Sequence, residues 1–311
     1  MHPDVLKNIL QYIICIYYQN YSMTMTKGIL GIIACPMLED ELLYGITNDP
    51  EEKNIFLIEN KHCGSMKEKM ERKGISFRMV TDNEVFNRAI DMEGYSILIK
   101  MNDLALHSEP KDLKDFIENE VREMNPFVDA IGLYYGLCGN YGWDMSEWAR
   151  ENGLKPVEMF RDSTGRICDD CVGVSVGGGA RYLELEKTYT GMFYVIPAIA
   201  HNWRPFMAAG DSAKVIASMD KEMLEAMGIH DDDSYIKWMF DICGYKNMVK
   251  MDTGLEPDRE EFDREFDDLC KIMGLKPITI ADGWMTIQPA VDIYNRSKGF
   301  LSEPQLSNRL L

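Results

Sequence analysis

Apolar positions along the chain fall into two rhythms: short unbroken runs, and longer stretches in which they recur every three or four residues. Gly28–Ala34 (GILGIIA) is the clearest run, and the lack of any polar position marks a strand buried on both faces. Asn54–Ile58, 75–80, 95–100, 128–135 and 156–160 read as further strands, with 128–135 (VDAIGLYY) the strongest after the first. Three more runs follow at 192–196, 248–251 and 277–280. Between them the helical rhythm covers 36–43, 65–73, 112–124, 145–152, 182–187 and 259–273, while 204–244 reads as a small helical subdomain or cap. Cys35-Pro36 stops the first strand, and Pro36 suits the first turn of a helix that places Glu39, Asp40 and Glu41 at its positive end. Strands alternating with helices at this spacing predict an α/β fold with right-handed βαβ units. The expected architecture is a mostly parallel open sheet with flanking helices, doubly wound and Rossmann-like.

The organisation expected is one α/β domain over 27–290, a tail over 291–311, and an N-terminal extension over 1–26. That extension reads as disordered, as a loosely packed arm, or as misassigned from an upstream start codon. The apolar stretch at 9–18 is too short to cross a bilayer and lacks the basic flank and small-residue cleavage site of a signal peptide, so a cytoplasmic location is expected. With 33 basic and 51 acidic residues, the net charge of -18 repels nucleic acid and anionic lipid. A small molecule or another protein is the expected partner.

The 8 cysteines do not read as a secreted disulfide scaffold in a chain of 311 residues without a signal peptide; they read as thiols. Open parallel sheets build sites outside the carboxyl ends of their strands, and several reactive side chains fall at such ends. Cys35 closes the first strand. His62 and Cys63 follow the second, and Cys138 sits in the turn Gly136-Leu137-Cys138-Gly139-Asn140 after the strongest central one. His201 follows Pro197, and Asp252 and Asp282 close late strands. Each aspartate either shares the edge of Cys35 and Cys138 or caps the next helix.

Cys168-Asp169-Asp170-Cys171 is a poor redox dithiol, because two carboxylates between the thiols disfavour thiolate; a bound cation reverses that sign. One cysteine from each of three loops plus a histidine suits zinc, or iron with sulfur ligands. Gly173-Val174-Ser175-Val176-Gly177 matches the G-x-S-x-G elbow of serine hydrolases, but the preceding residues leave little room for the strand an elbow requires. Gly177-Gly178-Gly179-Ala180-Arg181 could form an anion nest closed by arginine. P-loop, dinucleotide and cobalamin-binding signatures are absent.

The residues resemble the DUF1638 family, proteins of unknown function found mainly in methanogenic archaea and anaerobic bacteria. The resemblance runs from about Lys27 to Gly283 and is carried by several groups of residues: Ala34-Cys35 with Glu41; His62; Tyr135-Gly136-Leu137-Cys138-Gly139-Asn140; Asp170-Cys171 with Gly177 and Arg181-Tyr182; Tyr189-Thr190-Gly191 with Trp203; and Asp252-Thr253-Gly254. Where a histidine often precedes the Asp-Cys pair in the family, this chain has Asp169, and Cys168 is an extra thiol, which makes Cys171 the better ligand. The resemblance implies an association with corrinoid-dependent methyltransferase systems, the corrinoid being carried by a partner. The expectation is a metal-binding protein serving one-carbon methyl transfer. Zinc or iron would sit on Cys35, Cys138 and Cys171, with His62 or Glu41 as fourth ligand or acid/base, and with sulfurs about 4 Å apart. Gly139, Asn140, Gly177, Arg181 and Asp252 would contact a ligand. Two rival readings are a non-catalytic metal or cofactor accessory protein, and a metal-free thiol enzyme in which Cys138 is the nucleophile and His62 or His201 its base.

Overall fold

The structure is a computed structural model that describes residues 26–104, 110–138, 143–208, 218–256 and 258–302. Strands β1 (Gly28–Ala34), β2 (Asn54–Ile58), β3 (Arg78–Val80), β4 (Tyr95–Met101), β5 (Ala130–Tyr134) and β6 (Val157–Met159) form a wholly parallel six-stranded sheet in the order β3-β2-β4-β1-β5-β6. Helices α1 (Glu39–Asn48), α2 (Gly64–Arg72), α3 (Asp82–Phe86), α4 (Pro110–Met124) and α5 (Met145–Glu151) connect them. The α/β, open, parallel reading of the sequence therefore holds. β1 is central because it is apolar on both faces. Leu30, Ile32 and Ala34 pack into one core with Leu42, Leu43 and Ile46, whereas Ile33 packs into the other with Ile117 and Val121.

The three late strands do not extend this sheet, as a single sheet would have required. After β6 the chain turns back on itself through an antiparallel bridge between Arg161 and Ile167. Helices α6 (Cys171–Val176) and α7 (Gly179–Thr188) then lead to a second parallel sheet: β7 (Met192–Val195), β8 (Asn247–Lys250) and β9 (Lys276–Thr279), in that order. Between β7 and β8 run α8 (Pro197–His201), α9 (Trp203–Ala208), α10 (Lys221–Ala226) and α11 (Asp232–Ile242), and α12 (Arg259–Met273) joins β8 to β9. The expected cap over 204–244 is thus, in its described part, the helical layer of the second sheet. Tyr235, Ile236 and Phe240 of α11 are buried, and Phe240 meets Phe193 of β7 edge-on with ring centroids 4.9 Å apart.

The expected tail is also corrected, because 291–302 belongs to α13 (Gln288–Ser302), which returns to the first sheet and packs on α1, β1, β5 and β6. Tyr294 is buried there. Its hydroxyl lies 3.0 Å from that of Tyr95 and donates to Asp49 Oδ2 at 2.8 Å, and Lys298 adds an ion pair to Asp49 at 2.7 Å. This polar clamp holds the amino-terminal edge of the sheet and leaves the opposite edge for chemistry. The expected extension over 1–26 lies outside the described residues except for Thr26.

Gly45 makes the α1–α13 contact possible, since a Cβ there would fall 2.6 Å from the Tyr294 ring. Gly→Ala inside a helix ordinarily gains about 1 kcal/mol. Overpacking costs about 1–3 kcal/mol, and a ring pinned by two hydroxyl contacts has little room to yield. Gly45→Ala should therefore lower the urea midpoint with an unchanged slope. A raised midpoint would show that α13 shifts freely on α1.

Candidate functional site

β1 and β5 are neighbours whose connections leave in opposite directions, β1 toward β2 and β5 toward β6. Their carboxyl ends therefore frame the crevice in which open α/β sheets bind ligands. Cys35 stands directly after β1, its amide bonded to the Tyr134 carbonyl of β5 at 3.2 Å, and Cys138 lies in the loop after β5. That loop is tied to the segment before α6 by Leu137 N–H to the Cys168 carbonyl (3.1 Å) and Cys138 N–H to the Asp169 carbonyl (2.8 Å). The backbones approach so closely at Gly136 that a Cβ would sit 2.7 Å from Asp170 Cα. Cys138 itself has a φ of 37°, a left-handed conformation that costs energy in a residue with a Cβ and concentrates at functional sites. Asp170 caps α6 by accepting from Gly173 N–H at 2.7 Å, and this cap sets Cys171 as the first helical residue.

The three thiols form one electrostatic neighbourhood. Burial pushes Cys35 far above the ordinary thiol range, and Cys138, Glu39 and Glu41 add to the push. Cys138 is driven up to about 12 by burial and by Asp170. Cys171 is raised by burial, then by Asp170, Cys138, Cys35 and Glu41. Glu41 is pushed up to about 8, chiefly by burial and then by Asp40.

Beyond burial, the first turn of α1 adds to the push on Cys35 and Cys171. Glu39, Asp40 and Glu41 are all buried, and Lys69 of α2 pairs with Glu39 Oε1 at 2.8 Å and Asp40 Oδ1 at 2.6 Å. Burial opposes the Lys69 charge, but Asp40 and Glu39 outweigh it and hold the ammonium protonated. Ser65 and Asn202 also donate to Glu39 Oε1, at 2.7 and 3.3 Å. Glu39 Oε2, Asp40 Oδ2 and Glu41 Oε2 are nevertheless buried without a hydrogen-bond partner among the described residues. One ammonium cannot neutralise three carboxylates, so the pocket calls either for protonation or for a further cation.

Cys171 is partly exposed and lines a cavity of about 460 Å³ with Asp170, Tyr182, Glu186, Tyr194 and Tyr245. From the second sheet, residues leading into β7 and along it, with Tyr245 just before β8, form the wall of this cavity. α8, which follows β7, packs against the 3-10 turn Pro36–Leu38 and against α1. The thiol neighbourhood thus lies between the two sheets, with an opening beside Cys171.

The remaining expected residues fall elsewhere or into other roles. His62 stands after β2, its Nε2 3.6 Å from Asp103 Oδ2. His201 ends α8, and its Nδ1 lies 2.9 Å from Glu265 Oε1. Gly139 and Asn140 lie outside the described residues. Gly177 is the left-handed C-cap of α6. Arg181 does not close an anion nest: its guanidinium donates to the carbonyls of Val176, Gly283 and Trp284. A Cβ at Gly178 or Gly179 would strike Asp162 or Asp169, so the protein's own aspartates already pack against that turn. Ser175 is buried within α6 with its hydroxyl donating to the Cys171 carbonyl at 3.0 Å, which is not an elbow. Asp252 is paired with Arg259, and the cap of α12 is Asp258, so Asp252 does not cap that helix. Cys168 is buried in the core with Tyr134 and Phe160.

Three ligand atoms within 4.8 Å of one another occur, among the described residues, at His201, Glu261 and Glu265; the three thiols are spaced more widely than the contact expected of them. Asp40 was read in the sequence only as part of an acidic first turn and Lys69 not at all, because both patterns are ordinary surface features.

Glu41 gives the site a pH signature. Its folded pKa, about 8, lies above its ordinary value of 4.5, so the folded state holds an extra proton between them. Its burden on stability is absent below 4.5, grows through this window, and is complete above 8. Urea unfolding of wild type and Glu41→Gln from pH 5 to 8 should show the variant gaining steadily, by up to about 1.36 kcal/mol per pH unit. A constant difference would mean that Glu41 ionises normally.

No curated protein and no solved structure matches the sequence. The profile of a protein family of unknown function, DUF1638, matches residues 101–290. The matched region contains Cys138 and Cys171 and begins after Cys35 and Glu41. Covering more than half of the chain, this match establishes that the protein belongs to the DUF1638 family.

Proposed function

We propose that the crevice between β1 and β5 is a metal centre of zinc or iron, held by Cys35, Cys138 and Cys171 with Glu41 as fourth ligand or acid/base. The observation that carries this reading is that Cys35, Cys138, Cys171 and Glu41 are buried beyond the ends of β1 and β5 near enough for their charges to interact, with Glu41 Oε2 lacking a hydrogen-bond partner among the described residues. Each group that resists ionisation in the protein alone would ionise beside a divalent cation, because the cation reverses the sign of every one of those interactions. The donor set fits a soft or borderline ion, and because the three sulfurs are not all within 4.8 Å of one another, at least one would move inward to bind it. When bound, such an ion supplies Lewis-acid activation of a thiol or a water.

The chain's own residues supply the rest. Cys171 borders the 460 Å³ cavity, which gives a small-molecule substrate access to the centre, and Tyr182 donates a hydrogen bond to Asp170 at its wall. That adjoining cavity favours a reacting site over a closed storage or delivery site. The raised thiols speak against the metal-free enzyme, since a nucleophilic cysteine needs a depressed pKa. The biological setting, one-carbon methyl transfer alongside a corrinoid methyltransferase system, rests on family resemblance alone.

Metal analysis of anaerobically purified protein tests the centre. Wild type should carry close to one zinc or iron per chain. Cys138→Ser should lose most of it, because a hydroxyl is a poor ligand for such ions. Exposed Cys243→Ser and Cys270→Ser, whose thiol contacts Met248 Sδ, should keep it. Equal metal content in all four proteins would remove Cys138 from the centre.

A further inference from the structure

A second group of ligand-type side chains lies apart from the thiols. Glu261 and Glu265 stand four residues apart on one face of α12, and His201 reaches them from the end of α8. One ligand atom from each falls within 4.8 Å of the other two, a span that a single ion can bridge. His201, Glu261 and Glu265 line a small cavity with Asp40, Lys69 and Arg72, of about 20 Å³, enough for one water-sized guest. Asp40 supplies the independent observation. It is 3% exposed, its Oδ1 is held by Lys69, and its Oδ2 is buried without a hydrogen-bond partner among the described residues. Asp40, with one carboxylate oxygen unpaired, lines a cavity that already offers an imidazole and two carboxylates, and such a surrounding calls for positive charge.

We infer that His201, Glu261 and Glu265 form a divalent-cation site, distinct from the thiol centre, with Asp40 completing its negative wall. One nitrogen and two carboxylates suit a harder ion than thiolates do, manganese rather than a soft metal. The side chains of His201, Glu261 and Glu265 are about a quarter exposed, at 27%, 26% and 28%, so an ion can enter from solvent. Arg72 is the internal competitor. Its guanidinium binds both oxygens of Glu261, and an arriving cation must displace it. The site is thus held by an arginine until a divalent ion replaces it, and its affinity is set by that exchange.

Titration of the full chain with Mn²⁺, followed by loss of the free-ion EPR signal at low salt, reads the site directly. One ion per chain is expected. His201→Ala and Glu265→Gln should each weaken binding tenfold or more, while Arg72→Gln should tighten it severalfold. Cys138→Ser should leave it unchanged, which separates this site from the thiol centre: loss in Cys138→Ser would assign the ion to the thiols and overturn the inference. Paramagnetic broadening of the His201 ring resonances in wild-type protein gives a readout that needs no variant to fold. No Mn²⁺ binding, or binding that persists in both His201→Ala and Glu265→Gln without broadening of His201, would also overturn it.

Discussion

The arrangement of the molecule turns on a charge imbalance: three consecutive carboxylates, Glu39, Asp40 and Glu41, are buried at the carboxyl edge of the large sheet with Lys69 among them. Burying a charge is costly unless it is paired, and removing one partner of a buried pair costs about 3–5 kcal/mol. The surroundings are organised around that cost. α2 is positioned so that Lys69 and Ser65 reach α1, and Asn202 just past α8 brings the second sheet's edge to the same carboxylates. Burial first of all keeps the thiols of Cys35, Cys138 and Cys171 protonated; Glu41 adds to the push on Cys35 and Cys171, and Asp170 to that on Cys138 and Cys171. A region tolerating so much unrelieved charge makes little contribution to stability by itself, and its persistence is better understood through what it can bind.

The two proposed cation sites share this field from opposite sides. Glu41 faces the thiols, whereas Asp40 lines the cavity of His201, and Lys69 sits with Asp40 and Glu39. Ligand hardness separates them: sulfur on one side, carboxylate and imidazole on the other. Two different ions could therefore be sorted by chemistry within one polar tract, without any barrier of structure between them.

Much of the large sheet could be read from the sequence because its evidence is local. The unbroken apolar run at Gly28–Ala34 and the alternation of strands and helices leave few alternatives to a parallel sheet. The position of Cys35 and Cys138 just past β1 and β5 followed by the same logic, since a strand end is visible in one dimension. The split into two sheets was not visible, because nothing in the pattern of a short apolar strand says which sheet it joins. Nor could the role of α13 be seen, since its amphipathic pattern says nothing about which helix it meets. Burial was the largest gap. Glu39, Asp40 and Lys69 have the composition of a solvated face, and only tertiary contact reverses that reading. Arg181 shows the converse. A basic residue after three glycines suggested anion binding, yet its donors are spent on backbone carbonyls over a hundred residues away in sequence.

The clamp of Tyr294 and Lys298 on Asp49 has a consequence for the way the protein comes into being. These bonds span 245 and 249 positions of sequence, and α13 packs on β1, the strand at the centre of the sheet. During synthesis, the segment carrying Cys35, Cys138 and Cys171 emerges well before the helix that closes its own sheet. Contacts this remote are paid for in loop entropy before they return anything, which slows folding. The thiols therefore pass through a long interval of exposure on a nascent chain. In that interval they are open to oxidation and equally open to capture of an ion, so the order in which the chain is made bears on what the finished crevice contains.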